Sequence, residues 1–111
     1  MAHDRSLLPA DEVARRLAEL PGWQQVGGAL RRELKFRSFV EAFGFMAQIA
    51  LIAERLAHHP NWTNVYNRVE IEITTHDSGG LTALDFDFAT QVNQILDQLA
   101  GGSSIATGPV I

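Results

Sequence analysis

The stretch that decides the fold is "NWTNVYNRVEIEITTHD", residues 61–77. From Arg68 onward it alternates strictly, with Val69, Ile71 and Ile73 on one side and Arg68, Glu70, Glu72 and Thr74 on the other. Successive side chains of a strand point to opposite faces, so this is a strand with one face in a core and one in water. Trp62, Thr63, Val65 and Tyr66 favour a second extended run before it, and Asn67, which tolerates left-handed backbone, stands between the two. The expectation is a short strand at 62–66 paired with a longer one at 68–75.

A sheet with one apolar face needs a cover, and the flanking sequence supplies it. Upstream, Ser38 suits an N-cap, and Phe39, Ala42, Phe43, Met46, Ala47, Ile49, Ala50, Ala53 and Leu56 recur at steps of three and four. This predicts a core helix to about Ala57 with that stripe buried, ended by Pro60, which biases His59 toward extended geometry. Downstream, Asp77-Ser78-Gly79-Gly80 reads as a loop. "LTALDFDFATQVNQILDQL" (81–99) then reads as a helix with Leu84, Phe88, Val92, Ile95, Leu96 and Leu99 on one face. Thr82 opens it with Asp85 three places later, in the manner of a capping box.

Toward the N-terminus, Gly27-Gly28 splits "WQQVGGALRRELKF" (23–36) into a hairpin. Leu30, Leu34 and Phe36 share one side of its second strand with Arg32, while Arg31, Glu33 and Lys35 take the other. "PADEVARRLAEL" (9–20) starts with Pro9, places Asp11 and Glu12 where the helix dipole favours anions, and stops before Pro21-Gly22. The resulting order is α-β-β-α-β-β-α. That is an α+β fold, a four-stranded antiparallel sheet with helices covering one face.

The 111 residues suffice for a single domain, 1–111, with a loosely ordered tail expected over "GGSSIATGPVI" (101–111). Hydrophobic residues make up 46% and charged residues 20%, an ordinary globular balance. The net charge of −4 has the wrong sign for tracking phosphate backbones, so no direct nucleic-acid partner is expected. The absence of cysteine removes disulfides, thiolate metal sites and cysteine nucleophiles, and fits a cytoplasmic location. "MAHDRSLLPADEV" (1–13) has no secretory pattern, and the apolar run Phe39–Ala53 is broken by Glu41 and Gln48, so no membrane association is expected.

The chemistry concentrates in "ERLAHHPNW" (54–62), which holds two of the four histidines. On helical spacing Glu54 lies one turn before His58 and would orient it or stabilise its charge. His76 lies at the far end of the last strand, where scaffolds commonly hold reactive groups. Other readings stay open on spacing alone. The histidines could be filler on a solvated helix end, Asp85 only a helix cap, and Trp62 and Tyr66 packing aromatics. Glu54, His58 and His76 could also form part of a metal site, although adjacent His58 and His59 point in different directions.

The words are more specific than the spacing. "HHPNW" (58–62), "NVYN" (64–67), His76 and "GGLTALD" (79–85), with "PGW" (21–23) and "FRSFVEAFGFMAQIALIAE" (36–54), resemble the pterin-4a-carbinolamine dehydratases across roughly residues 8 to 100. The resemblance implies a hydro-lyase that converts a 4a-hydroxytetrahydropterin to the quinonoid dihydropterin, in the recycling that follows aromatic amino acid hydroxylation. It implies no cofactor and no metal. His58 and His76 match the acid–base histidines of the family, and His59 the catalytic-site histidine that mainly holds substrate. Glu54 and Asp85 match supporting acids, with Glu54, Trp62, Thr75 and Asp77 contacting the pterin. Imidazole suits the task because its ordinary pKa of about 6.5 keeps both protonation states available near neutrality. Ala57 departs from members that carry an acid before the histidine pair. The resemblance also implies a homo-oligomer, a tetramer built as a dimer of dimers. Phe45 and Leu51 lie off the main stripe of the second helix, which agrees with burial against another subunit. One family member doubles as a dimerisation cofactor for a transcription factor, and a regulatory partner here is left open.

Overall fold

The computed structural model describes residues 4–101 and contains the expected order of elements. These are α1 (Ala10–Leu17), β1 (Gln24–Val26), β2 (Ala29–Lys35), α2 (Phe39–Leu56), β3 (Asn61–Val65), β4 (Arg68–Ile73) and α3 (Ala83–Gly101). All strand pairs are antiparallel in the order β1-β2-β4-β3, so the two hairpins join through β2 and β4 and leave β1 and β3 as edges. Of the tail expected over 101–111, Gly101 is still the last residue of α3, and the remainder lies outside the described residues.

Register turns the alternation into two layers. Leu30 faces Ile73, Arg32 faces Ile71 and Leu34 faces Val69 on the side that meets the helices. Arg31 faces Glu72, Glu33 faces Glu70 and Lys35 faces Arg68 on the other side, which is left to solvent. There Arg31 pairs with both Glu33 and Glu70, and its guanidinium holds the Glu33 carboxyl below the usual range.

Arg32, the exception to the alternation, lies on the core side and is satisfied at the edge of the sheet. Its guanidinium donates to the Pro21 carbonyl (2.9 Å) and to Asn93 Oδ1 (2.6 Å). Asn93 also accepts from the Trp23 indole (2.9 Å) and donates to Pro21 (3.0 Å), so the buried stem of Arg32 closes one end of the core without an orphaned donor. Burial pulls its guanidinium below the usual arginine range. Gly22 has φ +88°, and a Cβ there would run into this guanidinium.

α2 starts as expected, with the Ser38 hydroxyl accepting from Glu41 N–H (3.1 Å), but it buries a different face. The core takes Ala42, Phe45, Ile49, Ile52, Ala53 and Leu56. Phe39, Phe43, Ala47 and Ala50 of the expected stripe are exposed, and Met46 is half-buried. A helix apolar nearly all round offers several stripes at steps of three and four, and the sheet selects among them. Here Phe45 packs on Phe36 with ring centroids 5.1 Å apart. The face of α3 is as expected, with Leu84, Phe88, Val92 and Leu96 buried.

Two local expectations are corrected. The left-handed residue of the β3–β4 turn is Tyr66 (φ 53°) rather than Asn67. Asn67 is occupied elsewhere: its backbone carbonyl accepts from Phe36 N–H and its side-chain amide donates to Phe36 O, both at 2.8 Å. β4 ends at Ile73 rather than 75, because Thr74 leaves the ladder and Thr75 pairs only in an isolated bridge to Gly80.

Candidate active site

α2 stops at Leu56 because Ala57 takes left-handed backbone (φ 52°, ψ 43°). Two hydrogen bonds close the reversal, His58 N–H to Ala53 O (3.0 Å) and Ala57 N–H to Glu54 O (3.2 Å), the pairing that seals a helix end followed by a left-handed residue. Past that point helical spacing no longer governs side-chain direction. The His58 ring turns inward and is 7% exposed. The expected Glu54–His58 pair is therefore not formed. Glu54 Oε2 instead lies 2.7 Å from Nε2 of His59, in a pair largely exposed to water.

The partner of His58 comes from the first turn of α3. His58 Nε2 lies 2.6 Å from Oδ1 of Asp85, whose side chain is fully buried. The other carboxylate oxygen, Oδ2, accepts from the Thr75 hydroxyl (2.8 Å) and from Thr82 N–H (2.9 Å). Thr75 Oγ1 lies 2.9 Å from Thr82 Oγ1, which accepts from Leu84 N–H (3.2 Å). Asp85 thus serves at once as the acid of the capping box and as the carboxylate behind the imidazole, two roles that the sequence presented as alternatives. No buried side-chain nitrogen or oxygen among the described residues lacks a partner. The second ring nitrogen of His58, Nδ1, has no partner among the described residues and is therefore not fully buried.

His76 opens a single 3₁₀ turn, His76–Ser78, directly after Thr75, and both His76 and Asp77 are exposed. Thr75 O caps the turn by accepting from Ser78 and Gly79 N–H, both at 3.0 Å. The turn is also fastened from outside. The Ser78 hydroxyl donates to Arg5 O, Leu8 N–H donates to Leu81 O (3.0 Å), and the Thr74 hydroxyl donates to Gly28 O. β3 begins opposite the end of β4, with Asn61 facing Glu72, so the His58-His59 pair and His76 reach the same end of the sheet. Trp62 faces Ile71 and packs half-buried against the core at that end, whereas Tyr66 lies exposed at the opposite end of β4.

Of the residues singled out in the sequence, His58, Asp85 and Thr75 form one buried network, Glu54 and His59 form a surface pair, and His76 and Asp77 share the adjoining turn. Thr75, expected against substrate, has its hydroxyl turned into the network and is 1% exposed. Thr82 as a member of that network and the Arg5–Leu8 segment as an anchor were missed. The Thr82-to-Asp85 spacing carried a signal for the first, and nothing in residues 5–8 carried one for the second. Among the described residues no three His, Asp or Glu side chains converge as a metal-ligating group. A hollow lined by Glu33, Lys35, Thr63 and Arg68 opens on the helix-free face of the sheet and contains none of the histidines.

An imidazole anchored through one nitrogen by a buried carboxylate, with the other nitrogen open and further histidines at the same sheet end, can take up and deliver protons. The fold is that of a small α+β domain, with a carboxylate-anchored histidine and two further histidines at one end of its sheet. The chain belongs to the pterin 4 alpha carbinolamine dehydratase family, which matches residues 6–95. A Synechococcus relative, provisionally named a pterin-4-alpha-carbinolamine dehydratase, is 51% identical over 90 residues, covering 81% of this chain and 97% of its own. One from Rhodopseudomonas palustris with the same provisional name is 55% identical over 86 residues, covering 76% and 85%. The crystal structure of a transcriptional coactivator/pterin dehydratase from Brucella melitensis superposes with a TM-score of 0.77 at 48% identity, covering 79% of this chain and 96% of that one.

Proposed function

We propose that this protein dehydrates 4a-hydroxytetrahydropterins to quinonoid dihydropterins by histidine acid–base catalysis. The observation that carries the reading is His58, fixed at Nε2 by Asp85 and open at Nδ1, in a chain of this family. The reaction breaks the C4a–O bond as the hydroxyl is protonated and leaves as water. The electron pair freed when N5 gives up its proton forms the C4a–N5 double bond, so one proton is delivered, one is taken, and no electrons leave the substrate. His58 and His76 serve as the acid–base pair, each cycling between neutral and protonated forms. His59, steadied by Glu54, binds the pterin together with Trp62 and Asp77. No metal or cofactor is needed for a balance that involves only protons and water.

The setting is pterin recycling after aromatic amino acid hydroxylation, in the cytoplasm, by a homo-oligomer assembled as a dimer of dimers. No helix among the described residues is long and apolar enough to cross a membrane. The deciding assay follows by absorbance the dehydration of a 4a-hydroxytetrahydropterin generated in place by an aromatic amino acid hydroxylase. Purified protein stripped with a chelator should accelerate it. A folded sample that leaves the spontaneous rate unchanged would reject the proposal.

A further inference from the structure

The hydrogen bonds behind His58 run in one direction only. Leu84 N–H is a pure donor, so Thr82 Oγ1 accepts from it and its own proton must go to Thr75 Oγ1, the other heteroatom within reach. Thr75 Oγ1, having accepted that proton, gives its own to Asp85 Oδ2. Oδ2 also receives Thr82 N–H, so two donors occupy this oxygen and the carboxylate plane is fixed between them. The reverse direction would leave the Thr82 hydroxyl proton without an acceptor in a residue that is fully buried. Oδ1 is then left facing His58 Nε2 at 2.6 Å, and an ionised carboxylate can only accept there.

We infer that the cap of α3 is a tautomer lock: Thr82 and Thr75 are positioning residues that, through Asp85, keep the proton of neutral His58 on Nε2 and its lone pair on Nδ1. The consequence for turnover rests on the dehydratase reading, in which Nδ1 is the nitrogen that meets the substrate. The lock itself does not rest on it. A helix cap and an acid–base site are built from one carboxylate, so the first turn of α3 acts on the chemistry without touching the pterin.

Long-range proton–nitrogen spectra of the ¹⁵N-labelled protein, at a pH where the neutral ring prevails, test the lock directly. The expected pattern for His58 is an unprotonated Nδ1 and a protonated Nε2; the opposite tautomer in the unaltered protein overturns the inference. Thr75→Val keeps the branched shape and removes the hydroxyl. With one of its two donors gone from Oδ2, the carboxylate is free to turn away from Nε2, so the variant should give a mixture of tautomers and a kcat lower by about 10- to 100-fold, the scale on which partners behind a metal-bound imidazole act. KM should stay within about two-fold, since the change falls on proton transfer rather than binding. Thr75→Ser restores the donor and should recover both the single tautomer and most of kcat. An unchanged tautomer and kcat in Thr75→Val, or no recovery in Thr75→Ser, also overturns it. Should Thr75→Val not fold, the spectra of the unaltered protein and of Thr75→Ser still decide. Unaltered protein that shows the expected tautomer but no turnover would reject the dehydratase reading and leave the lock standing.

Discussion

Two demands meet on the carboxylate of Asp85, which closes the first turn of α3 through Oδ2 and holds His58 through Oδ1. Were it only a cap, Asp85→Ala would cost about 1 kcal/mol of stability and leave turnover near normal. Asp85→Asn separates the roles better, because it keeps the shape while replacing one acceptor by a donor. Either His58 Nε2–H or the Thr75 and Thr82 donors must then face an NH₂ group. We predict a fall in kcat of about 10²- to 10⁴-fold, as when the acid behind a catalytic histidine becomes an amide. Stability should drop by about 1–3 kcal/mol for the donor left unpaired. Steady-state kinetics beside thermal unfolding separate the cases; near-normal turnover would make Asp85 a cap alone. Replacing His58 or His76 by Ala should lower kcat by about 10²-fold or more, since the lost group acts in the transition state. His59→Ala should instead mainly raise KM, because His59 sits in an exposed pair with Glu54. Equal kcat losses for all three would contradict this division of labour.

The end of α2 shows what an element adds that its residues do not announce. Counting four residues from Glu54 to His58 assumes a helix that continues, but the helix ends at Leu56 and Ala57 reverses the chain, so His58 reaches Asp85 while His59 inherits Glu54. Neither consequence was legible, because alanine is a common helix former and a poor indicator of left-handed backbone. The sheet was legible, since one strongly alternating strand, β4, determines which side of its neighbours is buried. The buried face of α2 was not, because Phe39, Phe43 and Phe45 compete for it and only contact with the sheet decides. Ala57 (φ 52°) lacks the freedom of glycine, so Ala57→Gly should raise unfolding stability by up to about 1 kcal/mol in denaturant titrations. A loss would mean that the reversal depends on the methyl group. At α1, Arg15 and Arg16 hold the Glu12 carboxyl down to about 2. A carboxyl lowered on folding contributes stability above its ordinary value near 4.5, and that contribution fades as pH falls through about 2. Backbone amide signals of α1 should therefore change in that acid window before those of β4. Simultaneous change would show that the pairs do not anchor α1.

For the molecule as a whole, the unsettled surface is the outer side of α2. Phe39 (49% exposed), Val40 (77%), Phe43 (59%) and Leu51 (69%) lie on it, with the exposed Ala47 and Ala50 between them. Phe39 and Phe43 touch each other, with ring centroids 5.9 Å apart, which shields only part of either ring. These positions follow one another at three- and four-residue steps, so they form a continuous strip along the helix rather than scattered apolar residues. A strip of this kind in water favours association, and the small residues at its centre let a second helix approach closely. We predict that the protein sediments at a multiple of 12.2 kDa at micromolar concentration, with four copies favoured. Phe43→Glu combined with Leu51→Glu should shift it to smaller species. Both side chains are outside the buried core of one chain, so far-ultraviolet circular dichroism should show that the fold survives. If the unaltered protein runs as a 12.2 kDa monomer, the strip is not a self-association surface. If the double variant keeps the original mass, the copies meet elsewhere, with the open edges β1 and β3 as the places to alter next.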